Sequence, residues 1–269
     1  MPVNRTAVVT GASSGIGLAT AAALSSRGYR VVGTSRNPDA LKPEQKAPGV
    51  DYVALDLTDD TSIASLSDLL AGTDVLVNNA GESQSGPLEE LPADALRRLF
   101  QVNVLGPVQL AQLALPGMRE RRHGRVVMVG SMLASFPLAY RSSYVASKAA
   151  IKGFSNGARH EYSPYDVWFT TVEPGSINTG ISERRTKYIA PDSPHRAEFD
   201  KMLTALDHNE SRGITAEQVA ATVLKAIEAP RPKQLYAVGS NAPAVFALRR
   251  LLPASLVAKV THRKHNLTR

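Results

Sequence analysis

The chain contains no cysteine, which excludes disulfides and any thiolate chemistry. That composition suits a reducing compartment, and a cytoplasmic location is expected. No apolar run approaches the roughly eighteen residues that a membrane span requires. Nor does the N-terminus offer a basic segment followed by an apolar stretch of signal-peptide length. Acidic residues are missing from the end of the sequence. After Glu228 there are none, while Arg231, Lys233, Arg249, Arg250, Lys259, Arg263, Lys264 and Arg269 add eight positive charges. The formal net charge of +7 therefore belongs to the tail, and everything before Ala229 carries −1. Among the six histidines only His262 and His265 have ligand-like spacing, with no carboxylate near them in sequence, so no metal site is expected. Nucleic-acid binding is not expected either, because no recognised module accompanies the basic charge.

What is present is a globular composition, 43% hydrophobic and 20% charged, with ample material for a core. Short β-rich runs alternate with longer helix-like stretches, the pattern of a parallel sheet with crossover helices. Strands are predicted over 5–10, 30–35, 51–56, 73–78, 124–130, 167–172 and 234–238. Helices are predicted over 14–27, 92–121, 142–162 and 215–228, with Thr215 as the N-cap of the last. Pro107 and Pro116 would disturb the long second helix. The polar stretch 180–210, interrupted by Pro191 and Pro194, reads as an irregular loop. One domain is expected, a catalytic body over 1–240 followed by a basic amphipathic extension over 241–269.

Between the first strand and first helix stands Gly11-Ala-Ser-Ser-Gly15-Ile-Gly17. Glycine there permits a tight turn and lets a pyrophosphate reach backbone N–H groups, and the helix dipole adds about half a positive charge. Leu18-Ala19 follows the last glycine where a nucleoside-triphosphate loop would want Lys-Ser/Thr. Taken alone, the loop could equally be a structural turn. Further on come Asn78-Asn79-Ala80-Gly81 after the fourth strand, Ser131 after the fifth, then Tyr144 and Lys148 four apart on one helix face. A free phenol has a pKa near 10, and a nearby ammonium lowers it, so Lys148 is expected to make Tyr144 a usable acid or base.

In this order and spacing, the glycine run, Asn-Asn-Ala-Gly, Ser131 and Tyr144-x-x-x-Lys148 resemble the short-chain dehydrogenase/reductase family, over roughly 6–236. The Val-Glu173-Pro-Gly turn and the extended C-terminus resemble its hydroxysteroid- and retinol-dehydrogenase-like branch. The resemblance implies a Rossmann-type doubly wound α/β fold with a seven-stranded parallel sheet. It implies a catalytic set of Asn103, Ser131, Tyr144 and Lys148, with Tyr144 exchanging a proton with the substrate oxygen. It further implies a nicotinamide cofactor held by Gly11, Ser13, Ser14, Gly15, Ile16, Gly17, Asp56, Leu57, Asn79, Ala80 and Gly81. Tyr144, Lys148, Pro174, Gly175, Ile177 and Thr179 complete that set. Relatives that use NAD place an acidic residue at the end of the second strand. Here that position holds Ser35 followed by Arg36, whose guanidinium suits a 2′-phosphate, so NADP(H) is expected over NAD(H).

The substrate is expected to be a ketone, aldehyde or secondary alcohol, hydrophobic because Leu133, Phe136, Pro137 and Leu138 follow Ser131 closely. Arg184, Arg185 and Lys187 in the 180–210 segment are expected to face water. The tail could lie on a membrane surface, cap a lipid-like pocket or pack against another subunit, with contact inside the protein or oligomer favoured. The resemblance implies a homodimer or homotetramer. Two competing functions on the same scaffold are a 3-oxoacyl-thioester reductase and a non-catalytic NADP-sensing regulator.

Overall fold

The computed structural model describes residues 5–180 and 183–267. Among the described residues nine strands form: β1 (Thr6–Val9), β2 (Arg30–Ser35), β3 (Val50–Ala54), β4 (Val75–Asn78), β5 (Gln84–Ser85), β6 (Gly124–Val129), β7 (Val167–Pro174), β8 (Thr186–Lys187) and β9 (Leu235–Val238). Ten α-helices accompany them: α1 (Gly15–Ser26), α2 (Asp60–Ala64), α3 (Ser67–Ala71), α4 (Ala93–Phe100), α5 (Gly106–Glu120), α6 (Ser142–Tyr162), α7 (Arg196–Ser211), α8 (Ala216–Glu228), α9 (Ala242–Arg249) and α10 (Ala254–Lys264).

Seven strands pair in one parallel sheet, ordered β3-β2-β1-β4-β6-β7-β9. The central strands β4 and β6 are buried at every position, as continuous apolar runs between two helical layers must be. One layer is α1 and α8, which pack Ala21, Leu24, Val219, Val223 and Ile227 against Val9, Val77 and Val129. The other brings Leu70, Leu110, Met118 and Ile151 against Val8, Leu76, Val126 and Met128. The doubly wound seven-stranded fold expected from the sequence is the fold observed, in one domain. Its strand order reverses between β1 and β4, and the loops leaving their carboxyl ends face the same crevice.

Two expectations need correction. The helix over 92–121 is interrupted, since α4 and α5 are joined by a π-helical stretch, Gln101–Leu105. Pro107 has no N–H to give the Asn103 carbonyl, so the α-pattern cannot continue there. The 180–210 segment is not irregular throughout: its second half is α7, which buries Phe199, Met202, Leu203 and Leu206 along one face. Charges on the opposite face and the two prolines ahead of it hide that i, i+3, i+4, i+7 stripe. The tail packs within the protein, the contact the sequence reading favoured. Helices α9 and α10 return to the body, where Val245, Phe246 and Val257 pack on Met132, Phe136 and Ala242. Leu267 joins the core with Leu138, Phe199 and Met202. Among the described residues no helix is long and apolar enough to cross a membrane.

Phe199 is 1% exposed and stacks edge-on against Tyr140, centroids 5.8 Å apart. Phe199→Ala is expected to cost about 3–5 kcal/mol in urea denaturation. It should also release the tail, making the bonds after Lys259 and Arg263 sensitive to trypsin under native conditions. Unchanged proteolysis would show that the tail is anchored elsewhere.

Candidate active site

The glycine loop is held from behind by β4. Thr10 Oγ1 accepts from the Asn79 and Ala80 amides at 3.0 and 2.9 Å, and Asn79 Nδ2 donates to Thr10 O at 2.9 Å. Gly11 has φ +64°, the left-handed region that favours glycine. At Gly17 a Cβ would stand 2.2 Å from Gly11 O and 2.5 Å from Asn79 Nδ2, so only glycine fits without moving backbone. Thr179 packs on the loop from the other side, its Cβ 3.3 Å from where a Gly15 Cβ would be. Ser14 caps α1 with extended backbone, and its Oγ accepts from Arg184 Nη1 at 2.9 Å.

At the adenosine end, Ser35 ends β2, and Arg36 is exposed and paired with no carboxylate among the described residues. Asp56 lies two residues beyond β3 and accepts from Thr58 N and Oγ1 at 2.8 and 2.7 Å. Those hydrogen bonds hold its carboxyl below the usual range, so it stays ionised.

At the other end, Ser131 follows β6 and accepts from Leu133 N at 3.2 Å. Tyr144 and Lys148 are both buried, one turn apart on α6. Asn103 projects from the π-helical stretch and is fixed at both atoms. Its Oδ1 accepts from Glu82 N at 2.8 Å, and its Nδ2 donates to Glu82 O at 3.0 Å and Ser147 Oγ at 3.1 Å. Gly81 is tightly flanked, since a Cβ there would meet Asn103 Oδ1 at 3.0 Å and Lys148 Nζ at 3.5 Å. Thus the Asn-Asn-Ala-Gly turn serves the glycine loop with one residue and the Tyr-Lys helix with another.

A single cavity of about 930 Å³ joins both ends. Gly11, Ser13, Ser14, Gly15, Ile16, Ser35, Arg36, Asp56, Leu57, Asn79, Ala80 and Gly81 line it. So do Ser131, Tyr144, Lys148, Pro174, Gly175, Ile177 and Thr179. Of the residues singled out in the sequence, Gly17 and Asn103 do not reach the cavity wall and act from behind it. Glycines at the strand–helix turn and the amides opening α1 suit the pyrophosphate of a dinucleotide.

Some expectations fail here. Leu133 and Phe136 line the cavity, but Pro137 is exposed and Leu138 lies in the core. Arg184 and Lys187 are exposed, as expected, but Arg185 does not face water. Arg184 bonds Ser14 and the Thr179 carbonyl, while Arg185 is 4% exposed and clamped by Asp207 at 2.7 Å and Glu210 at 2.6 Å. The cation nearest the Tyr144 ring is not Lys148. Lys148 Nζ lies 5.8 Å from the ring centroid and donates to Val129 O at 3.0 Å, whereas the Arg141 guanidinium stands 4.4 Å from it. Burial pushes the Tyr144 phenol above its ordinary value, and Arg141 is the largest influence drawing it back. Burial also brings the Lys148 ammonium down to about 8.

Sequence reasoning missed Arg141 and Glu210. Arg141 precedes Tyr144 by three residues, a spacing that places both on one helix face and could have drawn attention. The tail, for which capping a pocket was one of the readings, supplies Val245, Leu248, Leu252, Val257, Val260 and His265 to the cavity.

Comparison with known proteins agrees with this geometry. The short chain dehydrogenase family model matches residues 5–189. Retinol dehydrogenase 8 of Bos taurus is 30% identical, covering 96% of this chain and 89% of its own. A short-chain dehydrogenase structure from Streptomyces avermitilis superposes with a TM-score of 0.80 at 33% identity, covering 96% of this chain and 95% of that one. One from Burkholderia cenocepacia, in complex with NADP, superposes with a TM-score of 0.76 at 27% identity, covering 95% and 97%. Matched by the family model over residues 5–189 and by the Streptomyces avermitilis structure over nearly its whole length, the chain belongs to the short-chain dehydrogenase family of oxidoreductases.

Proposed function

We propose that this enzyme is an NADP(H)-dependent carbonyl reductase or alcohol dehydrogenase acting on a hydrophobic ketone, aldehyde or secondary alcohol. The observation that carries the reading is one cavity with two unlike halves. The glycine loop and Arg36 line one half, and Ser131 and Tyr144 stand where it meets a second half walled by Met132, Phe136, Leu206, Val245, Leu252 and Val257. Bound nicotinamide would supply the hydride in reduction, or accept it in oxidation.

The remaining chemistry falls to the chain. Ser131 Oγ, at the cavity wall beside Tyr144, hydrogen bonds the substrate oxygen and helps neutralise charge developing on it. Tyr144 Oη gives its proton to that oxygen in reduction and takes it back in oxidation. Lys148, anchored on Val129 O, holds the cofactor ribose and keeps positive charge near the phenol. Asn103 fixes the start of this helix through Ser147, whose Oγ donates to Tyr144 O at 2.8 Å. Arg36 holds the 2′-phosphate with charge-assisted hydrogen bonds, while Asp56 and Leu57 meet the adenine and Pro174 to Thr179 border the nicotinamide.

The apolar half supports a substrate related to that in the name of retinol dehydrogenase 8, a bulky hydrocarbon bearing one oxygen. Homo-oligomerisation belongs to the same proposal, with the exposed Leu105 and Phe154 on the long-helix side as candidate contacts. A cytoplasmic location rests on the cysteine-free composition. Leu248, Leu251 and Leu256 remain exposed on the tail beside basic residues, which supports a surface able to meet a membrane.

Tyr144→Phe is expected to lower turnover by about 10²–10⁴-fold while leaving NADPH affinity nearly intact. Affinity is best followed by the cofactor's own fluorescence, because Trp168 sits at the start of β7, the opposite end of that strand from Pro174. Retained turnover would overturn the acid/base role. Arg36→Asp is expected to shift the NADPH to NADH affinity ratio by at least about tenfold, or ~1.4 kcal/mol. An unchanged ratio would place the 2′-phosphate elsewhere.

A further inference from the structure

Arg141 occupies the N-cap position of α6, and its side chain turns inward until the residue is 2% exposed. Its fork is seated on neutral acceptors only. Nη1 donates to Gln84 O at 3.0 Å and Ser85 Oγ at 2.9 Å, and Nη2 donates to Ser83 Oγ at 3.0 Å. The Nε is buried with no partner. Nearby Arg185 is different, because Asp207 and Glu210 together neutralise it. Arg141 thus brings into the interior a charge that no carboxylate among the described residues contacts directly, at a cost that neutral acceptors and the more distant Glu210 and Asp207 only partly return. The guanidinium lies over the face of the Tyr144 ring, 4.4 Å from its centroid, and lines the cavity beside it.

A ring face becomes more negative when its phenol ionises, so a cation held there favours the phenolate over the phenol. Lys148 is farther from the ring and its charge is committed to Val129 O. Burial also brings Lys148 down to about 8, whereas Arg141, brought down to about 10, keeps its proton through the neutral range. The other groups facing Tyr144 are Ser131 after β6, Arg185 ahead of β8 and Glu210 on α7; Asp207 on α7 and His265, after α10, lie near Arg141. Arg185 is outnumbered by its two carboxylates, so that cluster works against the phenolate, and Arg141 is the largest influence that favours it.

We propose that Arg141 is a positioning residue that stabilises the ionised form of Tyr144, working beside Lys148 as a second and permanent cation. This rests on the reading of Tyr144 as the acid/base. The step it assists is the transfer of the substrate hydroxyl proton to Tyr144 Oη in oxidation, and the reverse transfer in reduction. No other bond is made or broken by Arg141.

The test uses the full chain. The pH profile of kcat/KM for oxidation of a secondary alcohol with saturating NADP is compared between the parent protein, Arg141→Met and Arg141→Lys. In parallel, the Tyr144 resonance is titrated by NMR of protein labelled at tyrosine Cζ, the Tyr144→Phe protein identifying the signal. In Arg141→Met both midpoints should rise by at least about one pH unit, and Arg141→Lys should recover most of that rise. An unmoved midpoint with a raised KM would overturn the proposal and make Arg141 a substrate contact. An unmoved midpoint with lowered stability would also overturn it, leaving Arg141 a purely structural residue. Should Arg141→Met not fold, the Ser83→Ala/Ser85→Ala protein keeps the charge but loosens its seat; its midpoint should rise, and an unchanged value would overturn the proposal. If Tyr144→Phe kept its turnover, the acid/base reading would fall, while the NMR titration would still report whether Arg141 and Tyr144 are coupled.

Discussion

The hydrogen bonds that tie the end of β1 to the end of β4 carry the rest of the site. One hydroxyl, Thr10 Oγ1, takes the amides of Asn79 and Ala80, and the Asn79 side chain returns the favour to Thr10 and Gly11 carbonyls. Without that clasp the glycine loop would have no fixed floor. The same turn also sets Gly81 against Asn103 and Lys148. A parallel sheet brings its strand ends to one edge whatever the side chains. It does not decide how far apart the two halves of a crevice stand, and the clasp does.

The remaining polar contacts follow from burying charge economically. Glu173, fully buried on β7, is met by Lys152 at 2.8 Å and by the Ser135 hydroxyl at 2.7 Å, which ties the loop after β6 to α6. Arg185, buried beside β8, is met by two carboxylates of α7. Strand β8 itself pairs with β5, whose residues seat Arg141. One small two-stranded sheet therefore joins the segment over the cavity to the helix that bears Tyr144.

Much of this was legible in the sequence, because the signals were local. Strand runs, the glycine loop and the Tyr144–Lys148 spacing are set within a few residues, and α6 spans the residues expected of it. What escaped depends on contacts distant in sequence. Helix α7 is polar on average and shows its apolar stripe only once Leu138 and Leu267 are known to lie against it. The π-helical stretch replaces an α-turn that propensity alone would have continued. Lys148 was expected to be the cation at the phenol from its spacing, and Arg141, at the N-cap, stands closer to the ring centroid. Spacing identifies the side chains that share a face, whereas burial and available acceptors decide which way each one turns.

The tail has a consequence for biogenesis. Residues 242–267 wall the cavity and supply Leu267 to a core cluster, yet they leave the ribosome after the last strand of the sheet. The body can collapse around β1 to β7 while the apolar half of its crevice still lacks a wall. During synthesis and refolding, Met132 and Phe136 would lie open to other apolar surfaces until α9 and α10 arrive. Binding of the dinucleotide half would thus mature earlier than the substrate half, and a chaperone that favours exposed apolar grooves would meet this protein in that interval.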